Sequence, residues 1–297
     1  MLASISTNTL RQYGCALRQW DEFCHNKRIK ILDITVPNVL NFMAERFEFG
    51  ASYGTLNSIR SALSLLSKDK IGIHPDISRF MTGVQNKRPP RPKYSHTWDT
   101  NIVLDYLSLL DCTSLKNLTL KTVMLIALST AQRAQTISFI KISNIKVVSN
   151  GLVIEIPDRI KTSKAGRDQP LLQLPLFSDK PRLCVVTAIN EYLEKTKEIR
   201  NDIDSLFLIL NLPRKSVCSE TISRWLKECL CMCGIDTTIF TGHSTRHASG
   251  SKADLKGLDI DTIRRTATWS KRSQIFAKFY NRPIIHDGFE FARTVIG

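Results

Sequence analysis

Residues 142–154 read Ile-Ser-Asn-Ile-Lys-Val-Val-Ser-Asn-Gly-Leu-Val-Ile. Ile142, Ile145, Val147 and Val148 precede Asn150-Gly151, and Leu152, Val153 and Ile154 follow it. Asn-Gly between β-branched runs is the strongest short hairpin signal, because a two-residue turn of matching twist needs positive φ at both central positions. Two paired strands are therefore expected here. Residues 171–176, beyond a turn at residues 164–166, supply a candidate third strand.

On either side the period changes. Residues 101–110 and 115–128 upstream read as helices, as do residues 183–197, 219–231, 245–255, 260–266 and 270–280 downstream. The front of the chain is helical as well. Leu10, Tyr13, Leu17, Trp20 and Cys24 step by three and four, which lays one apolar stripe along a helix capped by Ser6 or Thr7. A second helix is expected from about Pro37, carrying Leu40, Met43 and Phe47 until Gly50 and Gly54 interrupt it. A third is expected over residues 55–68, carrying Leu56, Ile59, Leu63 and Leu66. The expected fold class is mainly α with a small β-sheet (α+β). The low content of Gly (13) and Pro (11) agrees with helix rather than a turn-rich β fold.

Residues 86–93 read Asn-Lys-Arg-Pro-Pro-Arg-Pro-Lys. Three prolines in eight residues do not continue a helix, so this segment reads as a basic, extended linker. The expected division is a helical domain over 1–85, the linker over 86–97 and a mixed domain over 98–297. Lys87, Arg88, Arg91 and Lys93 suit a strap across a phosphate backbone or a nuclear-import patch. A plain solvated spacer is the competing reading.

The chain carries 42 Lys and Arg against 27 Asp and Glu, a formal charge of +15. A surplus of that size seeks a polyanion, nucleic acid above all. Residues 1–90 hold 12 basic and 7 acidic residues, so both parts of the chain are basic. That suits a grip on one polyanion from two sides. Hydrophobic residues make up 42%, enough for a core and too many for a wholly disordered chain. No apolar run has membrane-spanning length, and the start lacks the layout of a signal peptide. The eight cysteines are accordingly expected to be reduced intracellular thiols.

Several residue groups are suited to phosphate chemistry. Thr241-Gly242-His243-Ser244-Thr245-Arg246-His247 opens a helix, and His243 and Arg246 share a face at its positive end. Arg forms bidentate bonds to phosphate, and His transfers protons near neutral pH. Arg133 follows the strongly apolar helix, where a helix C-terminal charge is the ordinary reading. Lys161 and Lys164 flank a turn, where a solvated lysine is the default. Trp269 and Tyr280, taken singly, read as core or half-buried aromatics. Cys229, Cys231 and Cys233 with His243 and His247 raise a zinc site. Their spacing departs from the usual knuckle, and cysteines two apart point to different faces of a helix, so buried thiols and no metal are expected.

Taken in order, Arg133, Lys161, His243-x-x-Arg246, Trp269 and Tyr280 resemble the tyrosine recombinase (phage-integrase-type) family. The resemblance runs from about Thr7 to Tyr280. The phrases Arg-Ala-Gln-Thr (133–136), Leu-Gln-Leu-Pro (172–175) and Phe-Ala-Lys-Phe-Tyr-Asn (276–281) look most like recombinases of eukaryotic DIRS/Ngaro-type retrotransposons.

The resemblance implies a helical DNA-binding domain followed by a catalytic domain. It implies cleavage and rejoining of double-stranded DNA through a 3′-phosphotyrosine, for site-specific recombination or integration of a mobile element, with no cofactor. It implies Tyr280 as nucleophile, Arg133 and Arg246 on the phosphate, His243 in proton transfer, Lys161 as acid to the leaving oxygen and Trp269 as an N–H donor to phosphate. It further implies a tetramer on paired DNA sites, a monomer in solution and, for a eukaryotic element, the nucleus, otherwise the cytoplasm.

Three features depart from the family pattern. Trp269 and Tyr280 are 11 residues apart, longer than the commonest spacing, and Thr136 stands where many members carry an acid. Lys161 and Lys164 both fit the hairpin lysine. Lys161 is preferred because Lys-Thr directly follows the expected strand, which leaves Lys164 as a DNA contact. The tail after Pro283 carries Ile284, Ile285, Phe289, Phe291, Val295 and Ile296, suited to packing in cis or docking on the next protomer. The alternative functions are a catalytically silent recombinase-derived DNA-binding protein and a type IB topoisomerase.

Overall fold

The computed structural model describes residues 5–90, 94–164, 166, 168–269, 284 and 290–296. The chain divides into two compact units, Met1–Pro92 and Lys93–Gly297.

The first unit is four helices: α1 (Thr7–Lys27), α2 (Val36–Glu48), α3 (Tyr53–Leu63) and α4 (Pro75–Lys87). Ser6, not Thr7, caps α1, accepting from the Thr9 amide at 3.2 Å. The inward stripe of α1 meets α2 in an aromatic centre of Trp20, Phe23 and Phe42, with the Trp20 and Phe42 rings edge to face at 5.3 Å. Two expectations shift. Helix α3 stops at Leu63, where the chain tightens into i→i+3 bonds (Leu66 amide to Leu63 carbonyl, 3.0 Å) and Leu66 is left exposed. Serine hydroxyls at 58, 61 and 64 bond backbone carbonyls along this stretch and compete with the helical ladder. The fourth helix was not anticipated, although His74-Pro75 begins it and Ile77, Met81 and Val84 form its buried stripe. It runs through Lys87, so residues 86 and 87 are helical and not part of an extended linker.

In the second unit, α5 (Thr100–Leu109) precedes α6 (Leu115–Thr130), which is buried nearly all round and is therefore the central helix. Then come α7 (Ala134–Ser138), a 3-10 turn at Ile142–Asn144 and the strands β1 (Ile145–Val148), β2 (Gly151–Glu155) and β3 (Leu171–Pro175). All pairs are antiparallel in the order β1-β2-β3, with Val148 opposite Gly151 and Leu152 opposite Leu174. The first strand starts later than the hydrophobic run implied, because Asp204 holds the Ser143 amide (2.9 Å) and hydroxyl (2.6 Å) in the 3-10 turn. Leu152, Ile154, Leu172 and Leu174 face the core, while Val147 faces solvent.

Helices α8 (Val185–Thr196), α9 (Ser219–Met232) and α10 (Thr245–Leu255) pack against α6. Then follow α11 (Ile260–Thr266) and α12 (Glu290–Ile296). Ile284 is buried and bridges to Thr97 of the same chain, whereas Val295 and Ile296 are exposed. The helix expected over 270–280 lies outside the described residues. Among the described residues no helix is long and apolar enough to cross a membrane.

Candidate active site

Helix α6 ends on Ala131, whose φ of 49° is left-handed, and the chain turns so that Arg133 becomes the residue before α7. Arg133 is thus a half-buried side chain at a helix start, not the C-terminal charge that its position after α6 suggests. Two residues on, the Gln135 Oε1 accepts from the Lys161 amide at 3.2 Å. This bond draws the exposed Lys161 turn against the Arg133 segment. The turn is closed by the Ser163 hydroxyl, which accepts from the Ile160 amide at 2.9 Å.

His243 lies in a 3-10 turn at Gly242–Ser244, immediately before α10. The turn is fixed from two sides. The buried Trp98 indole donates to the Ser244 hydroxyl (2.9 Å), which itself donates to the Thr241 carbonyl (2.7 Å). Gly242 presses on α9 so closely that an added Cβ would stand 2.7 Å from the Ser223 carbonyl oxygen.

Arg246, on the first turn of α10, is fully buried. One of its Nη atoms donates to the Ala267 carbonyl at 3.0 Å, and its guanidinium carbon lies 5.1 Å from the Trp269 ring centre. Trp269 is buried with Ala131, Ile263 and Ala267. Polar groups just before Trp269 are tied to Gln132, next to Arg133: the Gln132 amide donates to the Thr266 carbonyl (2.6 Å) and accepts from the Thr268 hydroxyl (3.3 Å).

The imidazole of His243 reports how these groups converge. Desolvation by the surrounding protein, then the charges of Arg246, Arg133 and Lys161, lower its pKa from 6.5 to about 4. One part of His243 remains open to solvent, which relieves desolvation, so the downward direction rests most firmly on the three cations. His243 is therefore neutral at pH 7. It can accept a proton or hydrogen-bond an anion, in a cationic setting that favours one.

The structure thus brings Arg133, Lys161, His243, Arg246 and Trp269 together. Tyr280 lies outside the described residues, as do Arg91 and Lys93. Lys164 is exposed on the turn, and its charge is not among those acting on His243. Lys87 is exposed at the end of α4. Arg88 caps α4 and, while exposed, donates to the Phe47 (3.1 Å) and Ala51 (3.0 Å) carbonyls, with its guanidinium 4.1 Å over the Phe47 ring. These bonds tie the exposed Arg88 to the end of α2 within the first unit.

Sequence reading missed Trp98, Gln132, Gln135 and Ser244, because a partner on a remote loop leaves no local signature. It also gave His247 no role beyond zinc. His247 is buried, 5.7 Å from the His243 ring and 5.3 Å from that of Tyr94. Of the cysteines weighed for zinc, Cys229 is buried and Cys231 exposed. The hydrogen bond to Cys233 and then burial push the Cys229 thiol well above its usual range, so it stays protonated. Among the described residues, no three His, Cys, Asp or Glu side chains converge as a metal site.

A helical unit with a three-stranded sheet thus holds a cationic site around one histidine, and the comparisons show the family to which it belongs. The family model of the phage integrases matches residues 104–283, more than half of the chain, and the chain belongs to this phage integrase (tyrosine recombinase) family. No curated protein sequence matches significantly. Among solved structures, the XerH site-specific recombinase in a pre-cleavage complex with its difH substrate is similar at a TM-score of 0.63 and 14% identity, over 97% of this chain and 79% of that one. The Tn1549 transposon integrase in complex with transposon right end DNA is similar at 0.62 and 13%, over 98% and 93%. The lambda integrase tetramer bound to a Holliday junction is similar at 0.55 and 19%, over 97% and 76%. At these identities the likeness is one of fold.

Proposed function

We propose that the protein breaks and rejoins double-stranded DNA at specific sites through a 3′-phosphotyrosine formed on Tyr280. The observation that carries this reading is the joint action of Arg246, Arg133 and Lys161 on the neutral imidazole of His243, with Trp269 against Arg246. The Tyr280 oxygen attacks the scissile phosphorus and its proton passes to His243, directly or through water. The bond from phosphorus to the 5′-oxygen breaks, and Lys161 protonates the leaving oxygen. Arg133 and Arg246 stabilise charge on the non-bridging oxygens, and the Trp269 indole donates to one of them. The covalent link retains the phosphodiester's energy, so a 5′-hydroxyl from another strand reverses the step without metal or nucleotide.

The formal charge of +15 supports a DNA partner, with Lys87, Arg91, Lys93 and Lys164 on the backbone. Exchange between two duplexes, each cut on both strands, requires four such sites. The lambda integrase tetramer bound to a Holliday junction supports a tetramer on paired DNA, which this reading assembles from monomers. The phrases at 133–136, 172–175 and 276–281 support a DIRS/Ngaro-type element, hence a mobile-element recombinase working in the nucleus. The domains then divide as a DNA-binding unit over 1–85, the basic segment 86–97 and the catalytic unit over 98–297.

The test is incubation of the full chain with a genomic DNA library, followed by denaturation and sequencing of the covalently held DNA. A denaturation-resistant adduct on a recurring sequence, absent in Tyr280→Phe, is the expected result. Noncovalent binding alone would indicate a silent DNA-binding factor. Relaxation of site-free plasmid would indicate a topoisomerase.

A further inference from the structure

The end of α11 leads into Trp269, and every carbonyl there has a donor. The Ala267 amide bonds the Ile263 carbonyl (3.0 Å), Thr268 bonds Arg265 (3.1 Å) and Trp269 bonds Arg264 (2.8 Å). The last two bonds, six-to-one and five-to-two around a left-handed residue, form a Schellman turn. Two carbonyls remain for side chains. Arg246 takes that of Ala267 (3.0 Å), and Gln132 takes that of Thr266 (2.6 Å).

The left-handed position of such a turn ordinarily holds glycine. Here it holds Thr268, at φ 54°. A β-branched residue in this region is strained and persists only where its surroundings over-determine it. The Thr268 hydroxyl bonds the Gln132 side chain at 3.3 Å. Gln132 is 1% exposed, and the same amide group holds both the helix end and the strained residue.

On the reading that Arg133, Arg246 and Trp269 act on one phosphate, we propose that Gln132 is a positioning residue. It locks the strained Thr268 turn to the Arg133 segment, so that Trp269 and the chain leading to Tyr280 keep register with both arginines. Gln132 touches no reacting atom. Its loss should leave DNA binding intact and slow the chemical step, since a displacement of about 1 Å in such a frame costs on the order of 10²-fold.

The experiment uses the full chain with 5-fluorotryptophan, its Trp269 fluorine resonance identified through Trp269→Phe. In Gln132→Leu the Trp269 resonance should shift or broaden while those of Trp20 and Trp225 hold still. DNA affinity should stay level, and cleavage at saturating DNA should fall about 10²-fold. Adding Thr268→Gly should restore much of the cleavage, because glycine adopts the turn without support. Should Gln132→Leu fail to fold, Thr268→Val replaces the hydroxyl with a methyl, keeps the branched shape and should move the same resonance. An unmoved Trp269 resonance, wild-type cleavage in Gln132→Leu, or no rescue by glycine overturns the proposal. If the wild type forms no adduct, the functional reading fails instead, and the fluorine spectra still decide whether Gln132 holds the turn.

Discussion

Gly242→Ala tests whether the close approach of the His243 turn to α9 sets the site. The added Cβ would lie 2.7 Å from the Ser223 carbonyl oxygen and 3.1 Å from the Leu226 Cβ. An ordinary C···O contact is about 3.3 Å or longer, so backbone must separate by about 0.6 Å. The obstacle is the carbonyl of a helix, so the lighter turn moves, and it carries His243. Overpacking of this kind costs about 2 kcal/mol, which in a unit of this size lowers Tm by about 4–8 °C. The displaced imidazole meets Arg246 and Arg133 from a changed position, and adduct formation should fall on the order of 10²-fold. DNA affinity, spread over many basic residues, should hold. The assay pairs a thermal melt with single-turnover cleavage of a trapped substrate. Wild-type Tm together with wild-type cleavage would show that the turn has slack, and the positional argument would be wrong. Gly83→Ala is the control. This glycine lies inside α4 with nothing near its added Cβ, so the change should stabilise by about 0.5–1 kcal/mol.

Tyr280→Phe should bind DNA and form no adduct; an adduct on the variant would move the nucleophile elsewhere. Arg133→Lys and Arg246→Lys should each lose about 3 kcal/mol of transition-state stabilisation, because a point charge does not replace a guanidinium fork. Near-normal cleavage rates in either would remove that residue from the phosphate. His243, held down to about 4, should stay neutral by NMR from pH 8 to pH 5.5 in the free protein. Its folded pKa lies below the unfolded one, so protonation favours unfolding. Its share of stability is complete above about pH 6.5 and is lost as pH falls from there toward 4. Bound phosphate should raise this pKa, and a His243 that titrates near 6.5 without DNA would contradict the cationic setting. Cleavage should be unchanged by excess EDTA; activity lost to the chelator and restored by zinc or magnesium would revive a metal role.

Much of this protein was legible in its sequence because the signals are local. The 3.6-residue stripe of α1, the hairpin signal at Asn150-Gly151 and the spacing from His243 to Arg246 depend on near neighbours in the chain; the structure has the helix and the hairpin, with Leu10 left exposed and the turn one residue earlier, at Ser149-Asn150, so that Gly151 opens β2 opposite Val148. Errors fell where a distant partner competes. Ser143 belongs to a 3-10 turn because Asp204 captures it, and residues 86 and 87 belong to α4 because its buried stripe of Ile77, Met81 and Val84 carries the helix through them. Residue type and order were enough to nominate Arg133, Lys161, His243, Arg246 and Trp269. Tertiary structure alone decided that three cations share one imidazole, that Arg246 is fully buried and that Gln132 holds a strained turn 134 residues away. Hydrogen bonds and charge effects act over ångströms of space, and only the packing of α6, α10 and the loops around them makes such distant residues neighbours.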